Sequence, residues 1–150
     1  MPAETRKTLL RVVLFATAAF LVLGLPFMFD LWPGGFRWAH PAEHRVYERM
    51  IIAVYFALGI CLVPAALDPE RHVIIIDFTI LSSLLHGGVM TYDAMAQQHE
   101  MTHLVGDVPL LFALAAVLIW LHPRRWRQSA PDGSPSSSRT AHVAASRDAG

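Results

Sequence analysis

Four long apolar runs follow one another along the chain, separated by short polar segments. They lie at about residues 9–29, 50–67, 73–95 and 104–121. Each run has about the 17–25 residues that an α-helix needs to cross the roughly 30 Å hydrocarbon core of a bilayer. Because backbone amides in lipid must be satisfied within their own segment, such runs form helices rather than open strands. The pattern therefore predicts an all-α protein, a four-transmembrane-helix bundle.

Signals at the ends of these runs set the predicted boundaries. The predicted helices are 9–29, 46–67, 69–96 and 103–121. Asp68 followed by Pro69 is typical of an N-cap before the first helical residue, so the third helix is predicted to begin at residue 69. The first run is longer than the apolar part of a signal peptide, and we expect it to remain as a helix.

The chain divides into two parts by composition. Residues 1–122 are predicted to form the four-helix membrane domain. Residues 123–150 are rich in Ser, Pro, Ala, Gly and Arg, with almost no large apolar residue after Trp126. Such a segment cannot offset its ordering entropy by burial, so it is predicted to be a disordered cytoplasmic tail.

Composition and charge agree with a membrane location. Hydrophobic residues make up 54% of the chain and charged residues 16%, compared with about 25% charged in soluble domains. The net charge of zero gives no electrostatic footprint for nucleic acid. Basic residues near one set of helix ends are Arg6, Lys7, Arg11, Arg71, Arg124, Arg125 and Arg127, against Arg37, Arg45 and Arg49 near the other. The positive-inside rule then predicts that both termini are cytoplasmic.

Ionisable side chains gather towards the predicted outer helix ends. His103 and Asp107 are four residues apart and share a helix face, and His86 and Asp93 are seven apart on another helix. Polar groups in transmembrane helices normally face the bundle interior, so these side chains are expected to converge. The candidate ligands of a transition metal are His86, His103 and Asp107, with Glu48 and Asp93 as additional candidates. The alternative is a structural ion network in which Arg45 and Arg49 pair with the carboxylates.

Three further expectations concern packing. His86 is expected about 13 Å below the outer boundary, level with Tyr55, and a hydrogen bond between them is predicted. Asp77, near the inner end of the third helix, is expected to reach the interface or to pair with Arg11. The pair Gly87-Gly88 is expected to allow close helix packing.

The stretch from His99 to His103 matches the H-E-x-x-H signature of zinc metalloproteases. Such a site also needs a third ligand, and the extended pattern places it at Pro109, which cannot bind a metal. His99 and Glu100 also precede the fourth predicted helix, and the chain has eight histidines in all. The motif is therefore interpreted as a coincidence.

Three stretches carry a resemblance to a known group. They are "WPGGFRWAH", "YERMIIAVYFALGICLVPAALDPERH" and "HLVGDVPLLFALAAVLIWLHP". Together they resemble an uncharacterised family of small bacterial four-helix integral membrane proteins, near the BphX-like group. The resemblance covers about residues 5–123 and implies a topology and a bacterial inner-membrane location, but no activity. It places the start of the fourth helix on His103, Gly106 and Asp107, and leaves out Glu100.

These observations favour a non-enzymatic accessory or partner-binding subunit of unknown activity. Its expected surroundings are the lipid bilayer and other membrane subunits or copies of itself, with no nucleic acid partner. The alternative is a metal- or cofactor-binding membrane protein with a His/Asp/Glu site near the outer face. A membrane metalloprotease built on the H-E-x-x-H motif is the remotest hypothesis.

Overall fold

The structure, a computed structural model, describes residues 2–36, 45–96 and 98–124, and it contains no strand in these ranges. The chain begins with α1 (Ala3–Ala19), a π turn (Phe20–Gly24), α2 (Leu25–Leu31) and α3 (Pro33–Phe36). It continues with α4 (Arg45–Leu67), α5 (Val73–Ala96), a 3₁₀ segment (Gln98–Leu104) and α6 (Asp107–Trp120). The predicted all-α class is confirmed for this part of the chain.

Four stretches of the described chain are long and apolar enough to cross a membrane. They are Ala3–Met28, Arg49–Leu67, Val73–Ala96 and Met101–Trp120. In the most apolar 18 residues of each stretch, only 28% of the residues are buried inside the protein. The outward surface carries large apolar side chains that include Leu23, Ile74 and Val105. An apolar surface this large is unfavourable in water and favourable in lipid. The chain is a multi-pass membrane protein.

The first span is interrupted by the π turn Phe20–Gly24. Pro26 lies directly after it, and proline has no amide hydrogen and sterically excludes the carbonyl four residues earlier, here that of Val22. The turn widens, and the Leu25 amide bonds the carbonyl of Phe20, five residues back. The apolar helix therefore continues through a proline that would otherwise break it.

The start of α5 differs from its prediction. Helix α5 begins at Val73, four residues later than predicted, because Pro69–Arg71 form a turn. In that turn the Arg71 amide donates to the carbonyl of Asp68 at 3.3 Å. Asp68 therefore helps to reverse the chain between two antiparallel helices, and it does not cap α5.

The helices pack mainly in two pairs. Contacts are most extensive between α1 and α4 and between α5 and α6, and smaller between α4 and α5. One apolar core joins the pairs through fully buried Leu14, Leu62, Ile76 and Leu118. A single core of this kind makes the four spans one bundle.

Two glycines lie where helices pack closely. A Cβ placed on Gly59 of α4 would lie 3.2 Å from the carbonyl oxygen of Ala18, so α4 touches the backbone of α1 there. A Cβ on Gly87 of α5 would lie 3.3 Å from the ring of Phe112 in α6, whereas one on Gly88 would meet no atom within 4 Å. The predicted close packing is confirmed for Gly87 and wrong for Gly88.

The bundle has two different ends. We name the end with the start of α1, the α4–α5 turn and the end of α6 the terminal end. There Arg11 donates to the carbonyl of Leu67 at 2.8 Å, and Lys7 pairs with Glu70 at 3.0 Å. At the opposite end, named the far end, α3 contacts the 3₁₀ segment, and Phe36 is buried beside Leu25. Both ends are thus closed by contacts between elements distant in the chain.

Candidate functional site

His103 and Asp107 meet at the far end. The 3₁₀ segment carries His103, and Asp107 lies in the first turn of α6. The two atoms His103 Nδ1 and Asp107 Oδ1 are 3.1 Å apart, and the imidazole is only 1% exposed. An ionised carboxylate can only accept, so Nδ1 carries the proton and donates it. The two side chains meet, as their four-residue spacing suggested, but they do not share one helix face, because α6 begins at Asp107 and not at the predicted residue 103.

Tyr55 and His86 form a second contact near this pair, between α4 and α5. Their ring centroids are 5.6 Å apart and their planes are inclined at 85°, which is an edge-to-face arrangement. The predicted hydrogen bond between these two side chains is wrong. The carboxylate of Asp107 lies within electrostatic range of both rings. Helices α4, α5 and α6 therefore each bring a polar side chain towards one region.

Of the other candidate ligands, the structure describes the side chain of Asp93, which makes no polar contact with His103 or Asp107. Asp93 is half-buried on α5 and has no hydrogen bond or ion pair among the described side chains, and neither does Arg49. The side chains of Glu48 and Arg45 lie outside the described part of the structure. Over the residues that the structure does describe, no three His, Cys, Asp or Glu side chains form a group that could hold a metal ion. The site is therefore a pair of contacts rather than a preformed metal cage.

The H-E-x-x-H stretch lies in the 3₁₀ segment Gln98–Leu104 and not in an α-helix. A 3₁₀ helix has about three residues per turn, so positions four apart are rotated by roughly 120° from each other. A zincin needs these two histidine positions on one face of an α-helix. The backbone of His99–His103 therefore does not have the conformation that the protease motif requires.

Asp77, His122 and Arg124 form a second polar cluster, at the terminal end. His122 Nε2 lies 2.8 Å from Asp77 Oδ1, and an Arg124 guanidinium nitrogen lies 2.7 Å from Asp77 Oδ2. The predicted pairing of Asp77 with Arg11 is wrong, because Arg11 bonds the end of α4 instead. This cluster was not predicted from the sequence. A usable signal was the presence of His122 and Arg124 directly after an apolar run, at the same predicted depth as Asp77.

Three threonine hydroxyls in the spans are used within their own helices. Thr17, Thr79 and Thr91 each donate to the carbonyl four residues earlier, at 2.8, 2.8 and 2.6 Å. Such bonds satisfy a hydroxyl inside an apolar helix without linking it to a neighbour. These three threonines are therefore separate from both clusters.

A comparison with protein families places the whole membrane region in one group. The sequence model of a "Family of unknown function (DUF6632)" matches residues 4–138. The chain belongs to the DUF6632 family. The match spans all four transmembrane-capable stretches and both polar clusters, and the resemblance to an uncharacterised family is confirmed. No curated protein and no solved structure matches the chain.

Proposed function

We propose that this DUF6632 protein is a non-enzymatic accessory subunit of a bacterial inner membrane that acts by binding other membrane subunits or copies of itself. The observation that carries the proposal is that polar side chains at both ends of the bundle pair with one another. Asp77, His122 and Arg124 are engaged with one another, as are His103 and Asp107. Ion pairs inside membrane bundles commonly hold helices together. The apolar outer faces then remain for contact with lipid and with other helices.

The proposal includes an orientation with both termini in the cytoplasm. It is supported by the excess of arginine and lysine at the terminal end, where Arg6, Lys7, Arg11, Arg71 and Arg124 lie, because basic residues favour the cytoplasmic side. The remaining residues of the predicted tail, 125–150, lie outside the described part of the structure.

Reporter fusions test this orientation. Fusions after residues 70 and 124 are expected to report the cytoplasm, and fusions after residues 35 and 98 the opposite side, since residues 35, 70 and 98 lie between spans and residue 124 follows the fourth span. An alkaline phosphatase and a green fluorescent protein fused at each position give opposite signals. Phosphatase activity after residue 124 would show that the orientation is inverted.

Photo-crosslinking tests the binding role. A photoreactive amino acid at Val89, which is exposed on α5, is expected to give a discrete protein adduct in native membranes. The matched control is Ile76 on the same helix, which is fully buried and should react only within the chain. Further exposed positions for the same scan are Val12, Val54, Leu85 and Leu110. Lipid adducts alone at every exposed position would contradict a partner-binding function.

A second candidate function is a transition-metal site formed by His86, His103 and Asp107, with Asp93 or Glu48 as a further ligand. The 3.1 Å contact of His103 with Asp107 supports this candidate, in which His86 would have to move towards that pair, because the described ligand-type side chains form no group of three. Imidazole and carboxylate are ordinary ligands of zinc and iron. Elemental analysis of the detergent-purified protein separates the two functions, because only the second requires a bound ion.

A further inference from the structure

The hydrogen bonds around His122 fix the position of its proton. The amide of Arg124 donates to His122 Nδ1 at 3.2 Å, so Nδ1 has no hydrogen of its own. The proton of the neutral ring is then on Nε2, which donates to Asp77 Oδ1 at 2.8 Å. The geometry therefore describes one tautomer of an uncharged imidazole, held between a backbone amide and a carboxylate.

Protonation would change this arrangement at one atom. An imidazolium has hydrogens on both nitrogens, so Nδ1 can no longer accept from the Arg124 amide, and two donors then oppose each other. The bond from Nε2 to Asp77 becomes charge-assisted and stronger. His122 and the Arg124 guanidinium, which bond different oxygens of Asp77, then place two positive charges beside one carboxylate and repel each other.

The solvent exposure of the two cations decides which of them stays bound to Asp77. The His122 side chain is 10% exposed and the Arg124 side chain 66% exposed. A buried imidazolium without its carboxylate would be unpaired in a poorly solvated place, which is costly, whereas an exposed guanidinium is solvated by water. Arg124 is therefore the partner that leaves.

We infer that Asp77, His122 and Arg124 form a proton-controlled clasp at the terminal end of the bundle. While His122 is neutral, the clasp holds the first residues after α6 against α5. When His122 is protonated, Arg124 is released from Asp77, while His122 remains bound to it. Histidine is the side chain suited to such a change between about pH 5 and 8.

The charged groups around His122 are consistent with this assignment. Asp77 faces His122 from α5, and Arg124 faces it from the residues that follow α6. The other described ionisable groups at this end with a recorded contact are engaged elsewhere: Lys7 with Glu70, Arg11 with the Leu67 carbonyl, His72 with the Asp68 carbonyl, and the Asp68 carboxylate with the Arg71 amide. His122 is thus the group whose charge decides how Asp77 is shared.

Nuclear magnetic resonance of the full chain in lipid nanodiscs tests the clasp. At pH 8 the ring nitrogens of His122 should show the Nε2–H tautomer, and the Arg124 amide should be protected from hydrogen exchange. At pH 5 the protection factor of that amide is expected to fall by about three- to tenfold, the range for loss of one hydrogen bond. The amide of Leu121, which bonds the carbonyl of Val117 at 2.9 Å, serves as an internal control and should not change.

His122→Gln is the matched variant. A glutamine amide can donate to Asp77 and accept from the Arg124 amide, but it does not change charge with pH. The Arg124 protection factor in this variant should be the same at pH 5 and pH 8. An equal loss of protection in His122→Gln would overturn the inference, as would unchanged protection in the native chain. A Nδ1–H tautomer at pH 8 would overturn it without any variant.

Discussion

Replacing Gly59 with leucine is expected to lower the melting temperature of the protein in detergent more than any other substitution considered. A Cβ at this position would lie 2.8 Å from a methyl group of Val22 and 3.2 Å from both the Ala18 carbonyl oxygen and Leu21 Cβ. The backbone oxygen cannot turn aside as a side chain can, so α4 must move away from α1. Overpacking costs about 1–3 kcal/mol for small increments, and a whole leucine side chain adds more than the first carbon.

Gly88→Leu is the control for this effect. Both glycines are inside helices, so both substitutions gain up to about 1 kcal/mol of helix propensity. A Cβ on Gly88 meets no atom within 4 Å, so leucine there should leave the melting temperature unchanged or raise it slightly. Thermal melts of the two variants beside the native protein measure the difference. Equal melting of all three would show that α1 and α4 do not touch at Gly59.

Replacing Asp107 with alanine is expected to cause the second large loss of stability. The substitution removes the acceptor of His103 Nδ1, and His103 is almost fully buried. A buried donor left without that acceptor costs about 1–3 kcal/mol. Asp107→Asn keeps a carbonyl oxygen in nearly the same place, so its melting temperature should lie between those of Asp107→Ala and the native protein.

Asp93→Ala provides the comparison at the same end of the bundle. Asp93 is half-buried and has no described hydrogen-bonding partner, so its removal should not change the melting temperature. Metal content measured on the same samples adds a second readout. A stoichiometric metal in the native protein that is lost in Asp107→Ala would favour the metal function over the accessory role. Native-like melting of Asp107→Ala would show that its contact with His103 does not stabilise the bundle.

Hydrophobic patterning predicted the spans because the helical state of a membrane-spanning segment depends on that segment alone. A run long enough to cross a bilayer must be helical wherever its neighbours lie. The start of α5 at Val73 was not predictable in this way, because the Asp68-Pro69 pair suits both a helix start and a turn. Whether the pair starts a helix or forms a turn depends on the path by which α5 returns along α4. That path is set by the packing of these two helices.

The polar contacts show a similar limit. His103 and Asp107 are four residues apart, and their contact was suggested by this spacing, although the turn between the 3₁₀ segment and α6 is what brings them together. Asp77 and His122 are 45 residues apart, and their contact depends on how far α5 and α6 slide along each other. Close packing at Gly87 and Phe112 sets that alignment, and composition does not reveal it.

The pairing of α1 with α4 and of α5 with α6 has a consequence for how the protein is made. Each pair consists of consecutive spans, so the first hairpin can complete its own packing, including the contact at Gly59, before the second has left the ribosome. The smaller contact between α4 and α5 then forms last, when two preassembled hairpins dock in the bilayer. A chain cut in the turn at 69–71 should accordingly reassemble from two separately synthesised halves, each already inserted as a folded unit.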